Sequence, residues 1–308
     1  MKDFIAISDY SKDEIRDMLD LAGKLKKEYF KKGNKKLFKR KVLGMVFQKP
    51  SLRTRVSFDM AMRHCGGDAL YLSPNEIGLG KRESIADVAR VLSGYVHALM
   101  ARVFDHEHVI ELAKWSDIPV VNGLSDYNHP CQGMADALTI IEKFGKKSKG
   151  LNICYVGDGN NVAVSLMHVS MLLGWNCTIA SPEGYDLDTN AVEIAKALSE
   201  KSQSKLSFLR DPHEAVKKAH VIYTDTWTSM GQEEESAKRE KVFPPYQVNA
   251  GLVAEADPDA IVMHCLPAHR NQELTDDVAD GPQSVIFQQA HNRLHAQKAI
   301  LARLFDVA

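Results

Sequence analysis

Two hydroxyl residues and two arginines share one short stretch, Ser51-Leu52-Arg53-Thr54-Arg55, directly after the apolar run VLGMVF. Residues at helical spacing follow. A strand end feeding a helix N-terminus presents free backbone N–H groups and the positive end of the helix dipole. Ser51 and Thr54 add hydroxyl donors. Arg53 and Arg55 add forked guanidinium donors that match a phosphate or a carboxylate. Such a turn supports anion binding, although R-x-R alone is equally consistent with a surface turn whose arginines pair with nearby acids.

Four further polar clusters stand at the ends of apolar runs. Asn128-His129-Pro130-Cys131-Gln132 closes the fourth run of the first half, and GDGNN (157–161) closes LNICYV. DTWTSMGQEEE (225–235) closes HVIYT, and HCLPAHR (264–270) closes AIVM. In parallel α/β sheets ligands gather at the carboxyl ends of the strands, so these clusters are expected to line one cleft between two sheets. GDGNNV invites a nucleotide-binding reading, but the third glycine of the dinucleotide fingerprint is missing and Val162 stands there. His264, Cys265 and His269 are metal-ligating types, yet their spacing matches no common zinc pattern, and no metal is expected. His129 at a strand end, with Gln132 following, reads as functional. HEH (106–108) reads as a solvated helix start, and Trp115, Trp175 and VSLMHVSMLL read as core.

The elements that must position these clusters follow from patterning. Ser11 with Glu14 forms a capping box, predicting a helix from about residue 12 with Ile15, Met18, Leu19, Ala22 and Leu25 on its buried face. Short apolar runs then alternate with helical patterns up to the stretch GMADALTIIEKFGKKSKG, and the alternation resumes from residue 151. Asp211 and Pro212 mark another helix start. Alternation of this kind predicts an α/β fold with parallel sheets and helices on both faces. Two series require two sheets, hence two domains.

The chain has 308 residues, 44% hydrophobic and 26% charged, which suits two globular domains. With 39 basic and 40 acidic side chains there is no global field to draw in nucleic acid or a membrane surface. No segment approaches the roughly 18 uninterrupted apolar residues of a bilayer span. The N-terminal MKDFIAISDYSKDE is too acidic for a signal or transit peptide. Five cysteines without a CxxC pair suit a reducing, cytoplasmic setting.

Taken together, S-x-R-T-R, H-P-C-Q, D-x-x-x-S-M-G and H-C-L-P, in this order and spacing, resemble the carbamoyltransferase family, in its ornithine-using branch. The resemblance runs from the first helix to the last. It implies a carbamoyl-phosphate-binding domain over 1–133, with a C-terminal helix over 289–308 packing back on it, and an ornithine-binding domain over 134–288. Ser51, Leu52, Arg53 and Thr54 would hold the phosphate, helped by Arg55's backbone and charge, and Arg293 would return to it from the last helix. Arg102, His129, Pro130, Cys131 and Gln132 would bind the carbamoyl group, with Arg102, His129, Thr54 and Cys265 as the catalytic set. Asn161, Asp225, Ser229 and Met230 would bind the amino-acid end of ornithine, and Cys265 and Leu266 would face the δ-amine and the carbamoyl group.

The implied reaction carries the carbamoyl group of carbamoyl phosphate to L-ornithine, giving L-citrulline and phosphate, without a metal or organic cofactor. A homotrimer, or a multiple of it, with sites shared between subunits is also implied. A relative using another amine acceptor, such as putrescine, an acylated ornithine or aspartate, would keep the phosphate motifs but lack S-M-G with H-C-L-P. One position departs from the pattern: Gly78 stands where the family has glutamine or histidine, in a loop that reaches the neighbouring subunit's site, and Lys81 is the nearby side chain that could substitute.

Overall fold

The computed structural model describes residues 3–228 and 233–307. These divide into two compact units, Met1–Leu138 with His291–Ala308, and Thr139–Ala290. In chain order the first series is α1 (Lys12–Lys32), β1 (Val42–Phe47), α2 (Leu52–His64), β2 (Asp68–Leu72), α3 (Pro74–Ile77), α4 (Ile85–Ser93), β3 (Ala98–Arg102), α5 (His106–Trp115), β4 (Val120–Leu124) and α6 (Pro130–Phe144). Its four strands run parallel in the order β2-β1-β3-β4, with Phe47 opposite Arg102 in the β1–β3 register.

The second series is β5 (Asn152–Val156), α7 (Asn161–Leu173), β6 (Asn176–Ala180), α8 (Thr189–Ser202), β7 (Leu206–Leu209), α9 (Pro212–Val216), β8 (Val221–Thr224), α10 (Ser236–Val242), α11 (Ala250–Ala254), β9 (Ile261–His264), α12 (Asp276–Ala279) and α13 (Ile286–Leu304). Five parallel strands lie in the order β7-β6-β5-β8-β9. The expected α/β architecture, two parallel sheets flanked by helices, is what forms.

The topology itself selects where a ligand can sit. In the first sheet the chain leaves β1 toward β2 on one side and later fills β3 on the other. In the second, β5 is flanked by β6 and β8. Where strand order reverses, the loops leaving two adjacent strands diverge and open a crevice at their carboxyl ends. The loop after β1 carries Ser51 to Thr54, and β3 ends on Arg102. The loop after β5 carries GDGNN, and Asp225 follows β8 directly. Both polar constellations therefore fall at switch points.

Local signals account for the element ends. The Ser11 hydroxyl accepts from the Glu14 N–H at 3.3 Å while the Glu14 carboxylate accepts from the Ser11 N–H at 2.9 Å, so α1 starts at Lys12. Ile15, Met18, Leu19, Ala22 and Leu25 are buried as the spacing predicts. Asp211 caps α9, accepting from the His213 N–H at 2.9 Å. Residues 162–173 of α7 are buried on all sides, as a helix apolar all round must be. Among the described residues no helix is long and apolar enough to cross a membrane.

Two expectations are corrected. Trp115 is exposed, with the Arg90 guanidinium stacked 4.3 Å above its ring, because it ends α5 on the solvent side; Trp175 alone of that pair is core. His106 is half-buried and hydrogen-bonded, not a fully solvated helix start. Its Nδ1 lies 2.8 Å from the Ser125 hydroxyl, and its burial lowers the pKa of the ring.

Candidate active site

In the first unit the β1–α2 turn is shaped by Ser51. It adopts extended backbone, caps α2, and accepts the Thr54 N–H at 3.4 Å. Its hydroxyl also donates to Thr54 Oγ1 at 3.1 Å. Thr54 is fully buried, and two guanidinium groups reach the same oxygen: Arg102 Nη1 at 3.4 Å and Arg293 Nη2 at 2.9 Å. With three donors directed at Oγ1, the Thr54 hydrogen is left to point elsewhere, as a donor. Two positive charges converging on a neutral hydroxyl at a helix N-terminus make an anion site.

Arg53 is half-buried in the first turn of α2, whereas Leu52 is exposed and offers the site only its backbone. Arg55 is drawn away: its guanidinium stacks 4.1 Å over the ring of Tyr71 on β2.

His129 lies close enough to both arginines for their charges to act on its ring. Asn128 fixes the approach, accepting from Asn122 Nδ2 at 2.5 Å and donating to the Ile5 carbonyl at 3.3 Å. The His129 carbonyl then accepts from the N–H groups of Gln132 and Gly133, and Pro130 begins α6, where a missing N–H costs nothing. Burial, then the charges of Arg293 and Arg102, push the His129 imidazole well below its ordinary pKa. It is neutral at physiological pH, so one nitrogen carries a hydrogen and the other a lone pair. Cys131 turns inward. Its thiol donates to the Asn122 carbonyl at 3.4 Å and burial pushes its pKa up to about 12, leaving only its backbone for a ligand.

In the second unit, Asp225 is the centre. Asn160 Nδ2 donates to Asp225 Oδ2 at 2.8 Å and the Cys265 thiol donates to Oδ1 at 3.0 Å. Asn160 simultaneously caps α7, its Oδ1 accepting from the Val162 and Ala163 N–H groups at 3.0 and 3.1 Å. Gly159 is required here, since a Cβ would lie 2.5 Å from the backbone of Asp186 and Leu187. Asn161, the residue read from the sequence, is the first residue of α7 and only half-buried. Ser229 and Met230 lie outside the described residues.

The HCLP loop is braced from behind. His264 Nδ1 accepts the Leu266 N–H at 2.9 Å, so its hydrogen sits on Nε2 and faces Glu273 Oε1 at 3.0 Å. This brace holds Leu266 at φ 59°, a left-handed conformation uncommon for a branched aliphatic residue. Donor atoms of Asp225, His264 and Cys265 lie within 4.8 Å of one another. Both His264 nitrogens are committed as described, and the thiol and carboxylate bond each other, so the cluster is organised as a hydrogen-bond network. His269, grouped with the other two on spacing, packs instead against Glu273, with Nδ1 3.8 Å from Oε2.

Sequence reading passed over several supporting residues. Asn160 had a usable signal, an asparagine just before a helix. The buried Asp158–Arg239 ion pair had none: Arg239 Nη1 reaches Asp158 Oδ2 at 2.8 Å across 81 residues of chain, and also donates to the Trp227 carbonyl at 2.7 Å. Burial raises the Asp158 carboxyl to about 6, with Arg239 pulling the other way.

An arginine–hydroxyl constellation at one switch point and a carboxylate–amide–thiol constellation at another mark a two-domain α/β protein. The chain belongs to the aspartate/ornithine carbamoyltransferase family. The carbamoyl-P binding domain of that family matches residues 2–142, and its Asp/Orn binding domain matches residues 149–304. An ornithine carbamoyltransferase of Pyrococcus abyssi is 53% identical over 304 residues, 98% of this chain and 95% of that protein. The solved ornithine carbamoyltransferase of Pyrococcus furiosus superposes with a TM-score of 0.94 at 52% identity, covering 98% of this chain and 96% of the other. The anabolic enzyme of Campylobacter jejuni gives 0.94 at 37% identity, covering 99% of both chains.

Proposed function

We propose that the protein transfers the carbamoyl group of carbamoyl phosphate to the δ-amine of L-ornithine, giving L-citrulline and phosphate. The observation that carries this reading is the convergence of Arg102 and Arg293 on the Thr54 hydroxyl, beside a neutral His129. A dianionic phosphate with an adjoining polarisable carbonyl is what such a set fits.

In this reading Ser51, Arg53, Thr54 and Arg293 hold the phosphate, with the Leu52 backbone. Arg102, His129 and Gln132, with the backbone of Pro130 and Cys131, hold the carbamoyl group. Asn161, Asp225, Ser229 and Met230 hold the amino-acid end of ornithine, and Cys265 and Leu266 face the reacting amine. The neutral amine attacks the carbonyl carbon, a C–N bond forms, and negative charge develops on the carbonyl oxygen. Arg102, His129 and Thr54 donate to it, an electrostatic stabilisation aimed at charge present only in the transition state. The C–O bond then breaks and the phosphate leaves with its electron pair, taking up the proton that the attacking amine sheds, its charge offset by Arg53 and Arg293. The mixed anhydride is already activated, so the chemistry calls on no metal or organic cofactor.

The carbamoyl-phosphate domain is assigned to 1–133 with 289–308, and the ornithine domain to 134–288. The P. furiosus relative is named as anabolic, which supports the biosynthetic direction here. A cytoplasmic homotrimer, or a multiple of it, completes the proposal. Offering carbamoyl phosphate with ornithine, putrescine, acetylornithine and aspartate in turn, and identifying each carbamoylated product, tests it. Citrulline should form fastest; preference for another acceptor would overturn the assignment.

A further inference from the structure

Gln132 and Asp136 stand one turn apart on α6, 1% and 0% exposed. Gln132 Nε2 donates to Asp136 Oδ1 at 2.8 Å. That bond decides which way the amide faces, because a carboxylate oxygen accepts and an amide oxygen cannot donate to it. Gln132 Oε1 is consequently turned the other way. It is buried, and among the described residues it has no hydrogen-bond partner. A buried acceptor without a donor is costly, and the cost is recovered when a ligand supplies the donor. Gln132 is also tied to the anion site through its backbone, donating its N–H to the His129 carbonyl at 3.0 Å.

On carbamoyl phosphate the phosphate and carbonyl oxygens accept. The NH₂ group is the donor of the molecule, and it is the group that distinguishes a carbamoyl phosphate from an acyl phosphate, whose methyl has nearly the same size. We propose that Asp136 is a positioning residue that fixes the Gln132 amide with Oε1 toward this NH₂, and so makes the site select carbamoyl over acyl phosphates. The inference rests on the carbamoyl-phosphate reading above. A hydrophobic pocket rejects an isostere weakly, whereas a buried polar group left unpaired rejects it strongly. An amide free to flip would present its own NH₂ half the time and lose that discrimination.

Two stable probes differ only at this point: phosphonoacetamide carries NH₂ where 2-oxopropylphosphonate carries CH₃. Calorimetric titration of both, and of inorganic phosphate, into the full-length protein should show the wild type preferring the amide by about tenfold or more. Asp136→Asn offers Gln132 a donor as well as an acceptor, so the preference should shrink to within about threefold, with the ketone and phosphate affinities kept. Asp136→Ser, smaller and equally ambivalent, should behave alike if the asparagine variant does not fold. Because the two affinities are compared on one sample, their ratio does not depend on the folded fraction. A variant retaining the full preference, or a wild type without one, overturns the role of Asp136 while leaving the phosphate site standing. A wild type that binds neither phosphonate nor phosphate removes the carbamoyl-phosphate reading itself.

Discussion

Arg293 brings its Nη2 to 2.9 Å from the Oγ1 of Thr54, although 239 residues of chain separate them. The anion site is thus completed by the last helix, and its charge is assembled from three elements: α2, the end of β3, and α13. Arg293→Lys keeps the charge but loses the planar fork that spans two acceptors. With a phosphate as ligand, kcat/KM should fall by roughly tenfold to a hundredfold, mainly through the KM for carbamoyl phosphate. Unchanged kinetics would take Arg293 off the phosphate.

Arg53 sits in the first turn of α2 and is half-buried, outside the apolar core. Arg53→Ala removes a forked donor from a dianion, worth a few kcal/mol, hence on the order of a hundredfold or more in kcat/KM. The melting temperature should hardly move. Loss of activity together with loss of folding would assign Arg53 to the scaffold instead.

His129 gives a pH signature. Its pKa is depressed in the folded protein, so below about pH 6.5 the unfolded chain takes up a proton that the folded site refuses. Stability from this residue is present at neutral pH and is lost as the pH falls below the unfolded value. Denaturant midpoints of wild type and His129→Gln, followed from pH 7.5 to 5, should show the smaller decline in the variant. Equal declines would mean that His129 is not held neutral by its surroundings.

Gly78 ends the short helix α3 at φ 51°, and a Cβ added there would lie 2.8 Å from the Cβ of Arg82. The backbone path through this loop therefore calls for glycine. Gly78→Gln should lose about 1–2 kcal/mol of stability. A variant as stable as wild type would show that the loop adopts another path.

How much of this was legible in the sequence depends on the range of the interaction. Strand β1 coincides with the apolar run that predicts it, because a strand buried on both faces reads as continuous hydrophobicity. Strand β7 also coincides with its run, LSFL, although it is an exposed strand at the sheet edge. The run IPVV predicts β4 less well. The strand continues through Asn122, a fully buried amide held by Asn128, and no propensity signals a polar residue in a core strand. The two switch-point clusters were legible as polar punctuation at strand ends. The partners that orient them were not: Asp158 with Arg239, and Asp225 with Asn160 and Cys265, are distant in the chain and meet only once the sheet order is set.

The acceptor chemistry offers the sharpest test. The δ-amine of ornithine resembles a lysine ammonium, with an unperturbed pKa of about 10.4, and as an ammonium it has no lone pair with which to attack. The reactive form is scarce near neutrality. kcat/KM for ornithine should rise from pH 6 to 8 by roughly tenfold per unit where this deprotonation alone limits the rate. Asp225, whose two oxygens accept from Asn160 and Cys265 in the free protein, is the carboxylate proposed to hold the α-ammonium, keeping one end of the substrate charged while the other reacts. Asp225→Asn should raise the KM for ornithine strongly, narrow the discrimination against 5-aminovalerate, which has no α-amine, and leave carbamoyl phosphate affinity nearly unaltered. A flat pH profile would remove the neutral-amine step as the limiting one. An Asp225→Asn enzyme with an unchanged ornithine KM would take Asp225 out of the site, and with it the main physical reason for preferring ornithine over an amine without an α-ammonium.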